Sequence, residues 1–449
     1  MIERTIYNKI SAWLRNGKNA LMLTGARQTG KTFLIRECLK QSGLQYIEIN
    51  FIEHPEFIPL FEEGGVEDIL MRISVATDRK LIPGSTVIFL DEVQEQPEII
   101  TQIKFLVDEG SYRYILSGSL LGVELFNVRS IPVGYMTIVD MFPVTLREYY
   151  SAIGLKSDIF DHIRECFEKR VPVDSFIHER LMKSFFLYLI TGGMPEALSV
   201  YLETKNIQKV SEVHEQIIRL YEADFTKYEK KHNLKLKEIY NAIPGELNEK
   251  NKRFFINHLG KGEAYDKFSD DFLWLKNAGV ALPAYNVTEP TVPLIISEKR
   301  NLFKLFYSDV GLLTSSYTAE TKRRILMNDA YVNNGALFEN IVAQELAAHG
   351  YKLYYYNNKK RGELDFVIEH EGKVLPIEVK SGKDYKRHSA LENVLNTPNY
   401  DIDTAYIFCC DNLSVEGSRV YLPIYMLMFL EERTMDIVYP MDLSDLSIG

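Results

Sequence analysis

No apolar stretch of this 449-residue chain is long enough to cross a membrane. The longest late one, Tyr421 to Leu430, is about half of the ~20 residues that a spanning helix needs. The first residues, Met1-Ile2-Glu3-Arg4-Thr5-Ile6-Tyr7, hold no apolar signal core. Together these absences set the expectation of a cytoplasmic protein with no membrane partner. The four cysteines, Cys38, Cys166, Cys409 and Cys410, form no CxxC pair and no cluster with zinc-ligand spacing. Neither a disulfide framework nor a structural zinc is expected. Excess positive charge is missing too: the formal net charge is -10, so any nucleic-acid contact must be local. Repeats, low-complexity tracts and long Gly/Ser linkers are absent.

What is present is globular: 46% hydrophobic and 25% charged residues, and a length that suits about three domains of ~150 residues each. The first part alternates apolar strands (Ala20 to Thr24, Gln45 to Phe51, Thr86 to Leu90, Tyr112 to Leu116, Thr137 to Met141) with amphipathic helices (Thr32 to Ser42, Pro97 to Glu109). That alternation predicts a parallel sheet covered by helices. From about Leu181 helical periodicity dominates, broken at Gly192-Gly193-Met194-Pro195, until alternation returns at Ala281 to Tyr285 and Leu302 to Tyr307. Helices followed by a hairpin are compatible with a winged helix. A last α/β unit opens with a helix at Asn334 to His349, followed by strands at Lys352 to Tyr356, Glu363 to Glu369 and Val374 to Val379.

Gly25-Ala26-Arg27-Gln28-Thr29-Gly30-Lys31-Thr32 fits the P-loop pattern GxxxxGK[ST], and it stands between an apolar strand and an apolar-periodic helix, as phosphate binding requires. Glycines let backbone N–H groups ring the phosphates, and the helix N-terminus adds a favourable dipole. Lys31 would reach the β/γ-phosphates and the Thr32 hydroxyl would bind Mg2+. Val87 to Asp91-Glu92 is an apolar run ending in two acids. Asp91 would hold the Mg2+ shell, and Glu92 would polarise the attacking water as general base. Ser117-Gly118-Ser119 ends the next apolar run, so that Ser119 or Ser117 would face the γ-phosphate; an ordinary turn is the alternative. ATP and Mg2+ are therefore the expected cofactors. A small-molecule kinase shares the P-loop but has no need of the Asp91-Glu92 pair.

Three carboxylates and a lysine recur in the last part: Glu339 on its first helix, Asp365 on its second strand, Glu378 and Lys380 on its third. Alternation puts Glu378 and Lys380 on one strand face. Glu339, Asp365 and Glu378 would hold a metal, and Lys380 would steady a hydroxide or phosphate oxygen. This resembles the D…(E)xK arrangement of metal-dependent nucleases, although a half-exposed hairpin shows the same alternation. Between Lys227 and Lys261, nine Lys or Arg face four Glu, a local excess of five positive charges, and Lys250, Lys252 and Arg253 are the expected phosphate contacts if DNA is a partner. A solvated helix face explains such a run equally.

The segments Leu23 to Thr32, Leu90-Asp91-Glu92-Val93-Gln94, Ser117-Gly118-Ser119, Phe142-Pro143-Val144 to Glu148, Gly192 to Glu196, Asp309-Val310-Gly311-Leu312 and Leu337-Phe338-Glu339-Asn340 together resemble a bacterial and archaeal AAA+ family of ATP-binding proteins with a C-terminal domain of unknown function. The resemblance implies an α/β fold in three parts. These are a P-loop AAA+ ATPase domain with its helical lid over residues 1–200, a winged-helix-like domain over 201–325, and a restriction-endonuclease-like (PD-(D/E)XK) α/β domain over 326–449. It implies an ATPase coupling its nucleotide state to a DNA-facing C-terminal half, and it is compatible with a homo-oligomer. The alternatives are an ATP-dependent DNA nuclease and a nucleotide-gated protein-binding module with an inactive nuclease fold. One departure stands out. The family's Gly-Arg pair is Gly134-Tyr135 here, which leaves Arg129 as the substitute for the missing arginine.

Overall fold

The computed structural model describes residues 2–432 except 63, 120–133, 233–234, 250, 257–258, 260–264, 330 and 383–384. The N-terminal part runs α1 (Ile6–Asn16), β1 (Ala20–Thr24), α2 (Lys31–Ser42), β2 (Gln45–Asn50), α3 (Val66–Ala76), β3 (Thr86–Asp91), α4 (Glu98–Glu109), β4 (Arg113–Ser117) and β5 (Met136–Asp140). The five strands form one parallel sheet in the order β2-β3-β4-β1-β5. β1 and β3 are buried along their whole length, which is why they read as continuous apolar runs rather than alternating ones. Both sheet faces are covered. Ala20, Met22, Ile88 and Leu90 pack under α3 and α4, while Leu21, Leu23, Val87 and Phe89 pack under α1 and α2.

Helices α5 (Leu146–Ala152), α6 (Ser157–Lys169), α7 (Ser175–Thr191), α8 (Pro195–Thr204), α9 (Ile207–His232), α10 (Leu236–Asn248) and α11 (Ser269–Asn277) follow. Strands β6 (Ala281–Val287) and β7 (Glu298–Tyr307) lead to α12 (Val310–Ser315), α13 (Ala319–Leu326) and α14 (Gly335–Ala348). The rest is β8 (Tyr354–Asn358), β9 (Gly362–His370), β10 (Lys373–Val379), α15 (Ser389–Leu395), β11 (Ala405–Cys409), β12 (Ser414–Glu416) and β13 (Arg419–Pro423). A second, mixed sheet orders its eight strands β12-β13-β11-β10-β9-β8-β6-β7.

This topology ties the expected middle domain to the C-terminal one. β6 and β7 do form an antiparallel hairpin, but β6 also pairs in parallel with β8, from Tyr285↔Tyr354 to Val287↔Tyr356. The hairpin is therefore the edge of the C-terminal sheet, not a separate wing, and the sheet crosses the expected boundary at 325/326. The reason is burial: β6 is almost wholly apolar and buried, and a strand buried on both faces needs neighbours on both edges. One core also runs without interruption from Val144 through the helices of the middle to Leu430. Helix α14 is central to it, buried from Ala336 to Leu346. All four cysteines are free, and among the described residues no helix is long and apolar enough to cross a membrane.

Glu345 on α14 fastens the C-terminal part to the first helix after β5, accepting a hydrogen bond from the Leu146 N–H at 2.9 Å. Burial pushes its pKa up to about 8, against the lowering effect of that bond and with help from Glu148. A carboxyl whose pKa is higher folded than unfolded favours folding at low pH and loses that contribution as pH rises from about 4 through 8. Glu345→Gln keeps the acceptor without the titration. Its melting temperature relative to wild type should climb between pH 5 and 8 and level off above. A difference that stays flat across this range would mean that Glu345 titrates in the folded protein as it does in the unfolded chain.

Candidate active site at the P-loop

At the C-terminal edge of the parallel sheet, β1 stops at Thr24 and the chain turns through Gly25 to Gly30 before α2 begins at Lys31. The turn needs left-handed backbone at Gly25 (φ 127°), Gln28 (φ 66°) and Gly30 (φ 90°). A Cβ on Gly25 would also collide with the Met141 carbonyl oxygen. The Lys31 ammonium donates to the Gly25 and Ala26 carbonyls, each at 2.8 Å. Burial lowers its pKa to about 8; nearby Glu92 and Asp91 oppose that, and Arg27 adds to it.

Asp91 ends β3 with its carboxylate buried. Thr32 Oγ1 donates to it at 3.0 and 3.2 Å, Asn50 Nδ2 at 3.1 Å, and the Ser117 hydroxyl also donates. Register explains the convergence: β4 lies between β3 and β1, so Ser117 ends level with both. Burial raises the Asp91 pKa, while the Ser117 and Thr32 donors pull it down. The hydroxyl of Thr32 and the carboxylate of Asp91 form an all-oxygen set of the kind that holds Mg2+ beside nucleotide phosphates. Glu92 takes left-handed backbone (φ 57°), and its Oε2 accepts from Gln94 Nε2 at 2.6 Å. Ser119 is buried, and its hydroxyl has no partner among the described residues. Arg129 lies outside the described residues.

Sequence reasoning missed the groups that grip the loop from outside. Arg4 donates to the Thr29 carbonyl at 3.1 Å and the Phe142 carbonyl at 2.6 Å, and pairs with Glu148 at 3.0 Å. Arg27 turns away from the loop to pair with Asp224 on α9 at 2.9 Å, and the Tyr221 hydroxyl donates to the Arg27 carbonyl at 3.0 Å. Lys227, one turn further along α9, lies 3.8 Å from Glu95, just past Glu92. Gly279 packs so tightly that a Cβ there would stand 2.8 Å from the Ala26 nitrogen. A cavity of about 770 Å³ opens beside Gly25 and Ala26 and is lined also by Asp140 and Tyr354; Gly30, Lys31 and Thr32 do not line it.

The expected C-terminal carboxylates lie close together. Among the described residues no three His, Cys, Asp or Glu side chains are placed to hold a metal ion. Burial raises the pKa of Glu339 and of Glu378, and the nearby Asp365 adds to both, but each of the three carboxylates has another partner. Glu339 pairs with Lys252 and, at 3.6 Å, with Lys304; Asp365 accepts from the Val379 N–H at 2.8 Å; Glu378 pairs with Lys380 at 2.6 Å. The basic stretch is partly paired with acids. Lys227, Lys235, Lys237 and Lys252 each lie by a carboxylate, and Lys250 falls outside the described residues. Arg253 lies near Tyr355, whose hydroxyl burial pushes up to about 12 against the opposing charge of Arg253. Of these pairs only Lys252–Glu339 is largely buried; Lys227, Lys235 and Lys237 stay exposed.

The strand-loop-helix, with a buried acid at the end of the strand next but one to β1, defines a P-loop fold. Residues 17–150 match the family model described as "AAA domain", so this part of the chain is an AAA-type P-loop domain. Residues 182–323 and 334–427 match two models described as domains of unknown function (DUF8612 and DUF4143). Among solved structures, the chain resembles a Walker-type ATPase of Pyrococcus abyssi, at 16% identity over 70% of this chain and 95% of that one, with a TM-score of 0.44. It also resembles the RuvB Holliday junction branch migration motor of Thermotoga maritima, at 14% identity over 65% of this chain and 91% of that one, with a TM-score of 0.29. No curated protein matches the chain.

The Gly25 geometry predicts a site-specific penalty. Gly25→Ala adds a backbone collision to left-handed strain, whereas Gly43→Ala, at φ 69° with open space around it, adds strain alone. Strain of this kind is worth ~1–3 kcal/mol. Gly25→Ala should therefore melt at a clearly lower temperature than Gly43→Ala. Equal melting temperatures would mean that the Met141 carbonyl moves aside.

Proposed function

We propose that the protein binds ATP at Gly25 to Thr32, hydrolyses it, and passes its nucleotide state through α9 to the C-terminal half. The observation that carries the reading is the Thr32–Asp91 contact at 3.0 Å at the mouth of a phosphate-ready loop. Mg2+ would be held by Thr32 and Asp91 and supplies charge neutralisation at the β/γ-phosphates. Lys31 exchanges its loop carbonyls for phosphate oxygens. Glu92, oriented by Gln94, takes the proton of the attacking water. Ser119, whose hydroxyl has no partner among the described residues, offers it toward the γ-phosphate. Because Arg27 and its carbonyl are held by Asp224 and Tyr221, any movement of the loop on binding phosphate pulls on α9.

The order of Glu339 on α14, Asp365 on β9 and Glu378 with Lys380 at the end of β10 supports a nuclease-like fold for the C-terminal half, with duplex DNA as its proposed partner. ATP turnover measured with and without duplex DNA tests that partner.

For the ATPase itself, Lys31→Ala should lose ATP binding, and Glu92→Gln should keep binding while turnover falls ~10²-fold or more, in line with removal of a general base. Lys31→Ala with wild-type affinity, or Glu92→Gln with wild-type turnover, would refute the assignment.

A further inference from the structure

The resemblance to metal-dependent nucleases implies a divalent cation at the C-terminal carboxylates, and the residues there do not fit one. Four acidic side chains gather where α14 crosses the sheet: Glu339 on α14, Glu363 and Asp365 on β9, and Glu378 on β10. Glu339 and Glu378 are buried. Carboxylates this close and this dry must be neutralised by protons, a metal or fixed cations.

The chain itself supplies the cations. Lys304, on edge strand β7, is 0% exposed. Its ammonium lies 2.8 Å from Glu363 Oε1, 3.6 Å from Glu339 Oε2 and 5.1 Å from the centre of the Tyr355 ring. Lys252 takes the other oxygen of Glu339, and Lys380 takes Glu378. A divalent ion between Glu339 and Asp365 would have to stand beside the fixed, buried charge of Lys304, where repulsion is weakly screened.

We infer that Lys304 is the resident cation of the C-terminal carboxylate cluster and closes it to divalent metal. The cluster then works as a charged joint that pins the β6–β7 edge hairpin to α14 and β9. Its geometry gives no metal-dependent cleavage in the wild-type protein. The inference is independent of the ATPase reading, because its test uses no nucleotide.

The probe is Mn2+ alone, with binding read by loss of the free-ion electron paramagnetic resonance signal and by thermal shift. Wild type should show no Mn2+ site that Asp365→Asn removes. Lys304→Ala should gain such a site, at least tenfold tighter than anything at this cluster in wild type, and adding Asp365→Asn should abolish it. Lys304→Arg, which keeps the charge, should behave as wild type. A wild-type Mn2+ site that Asp365→Asn removes would overturn the inference, and that measurement needs no Lys304 variant to fold. A folded Lys304→Ala protein that gains no Mn2+ site would overturn it as well.

Discussion

The carboxylate of Asp91 is the point on which the nucleotide-facing edge of the first sheet depends. It sits in the interior at the end of β3 and receives hydrogen bonds from Thr32 at the start of α2, Asn50 at the end of β2 and Ser117 at the end of β4. Four segments that are distant in sequence meet on two oxygens. An unpaired carboxylate in this position would be strongly destabilising, so its donors are held in place by the same desolvation that raises its pKa. The result is a loop-to-helix junction whose hydroxyl and acid are already opposed before any ligand arrives.

The loop is also restrained from its far side, and this is where local geometry becomes a property of the whole chain. Arg4 reaches it from the N-terminal segment, Tyr221 and Asp224 from α9, and Gly279 from the turn before β6. Beyond these contacts, the helices after β5 and the C-terminal sheet share one apolar core. Packed interiors transmit displacement rather than absorb it, since they are as dense as crystals of small molecules. A shift at Arg27 therefore has a rigid element to act on in α9.

Much of this was legible in sequence. The strands of the first sheet and the three strands after α14 fall within a few residues of where apolar runs and alternation put them, because each signal is local. The role of β6 and β7 was not legible. A hairpin reads identically whether it stands alone or adds to a sheet, and the pairing of Tyr285 with Tyr354 spans 69 residues. The same limit hid Lys304: in Glu298 to Tyr307 its alternation with apolar neighbours looks like a solvent face, whereas the carboxylates it meets come from α14 and β9. The Arg27–Asp224 pair, 197 residues apart, carries no local signal at all.

The central claim is that nucleotide at the P-loop is felt along α9. Hydrogen–deuterium exchange of the hydrolysis-slowed Glu92→Gln protein, with and without ATP and Mg2+, tests it directly. The account predicts that ATP slows exchange in peptides covering residues 25–32 and also changes it in peptides covering 207–232. Protection confined to the loop, with α9 exchanging at the same rate in both conditions, would contradict it.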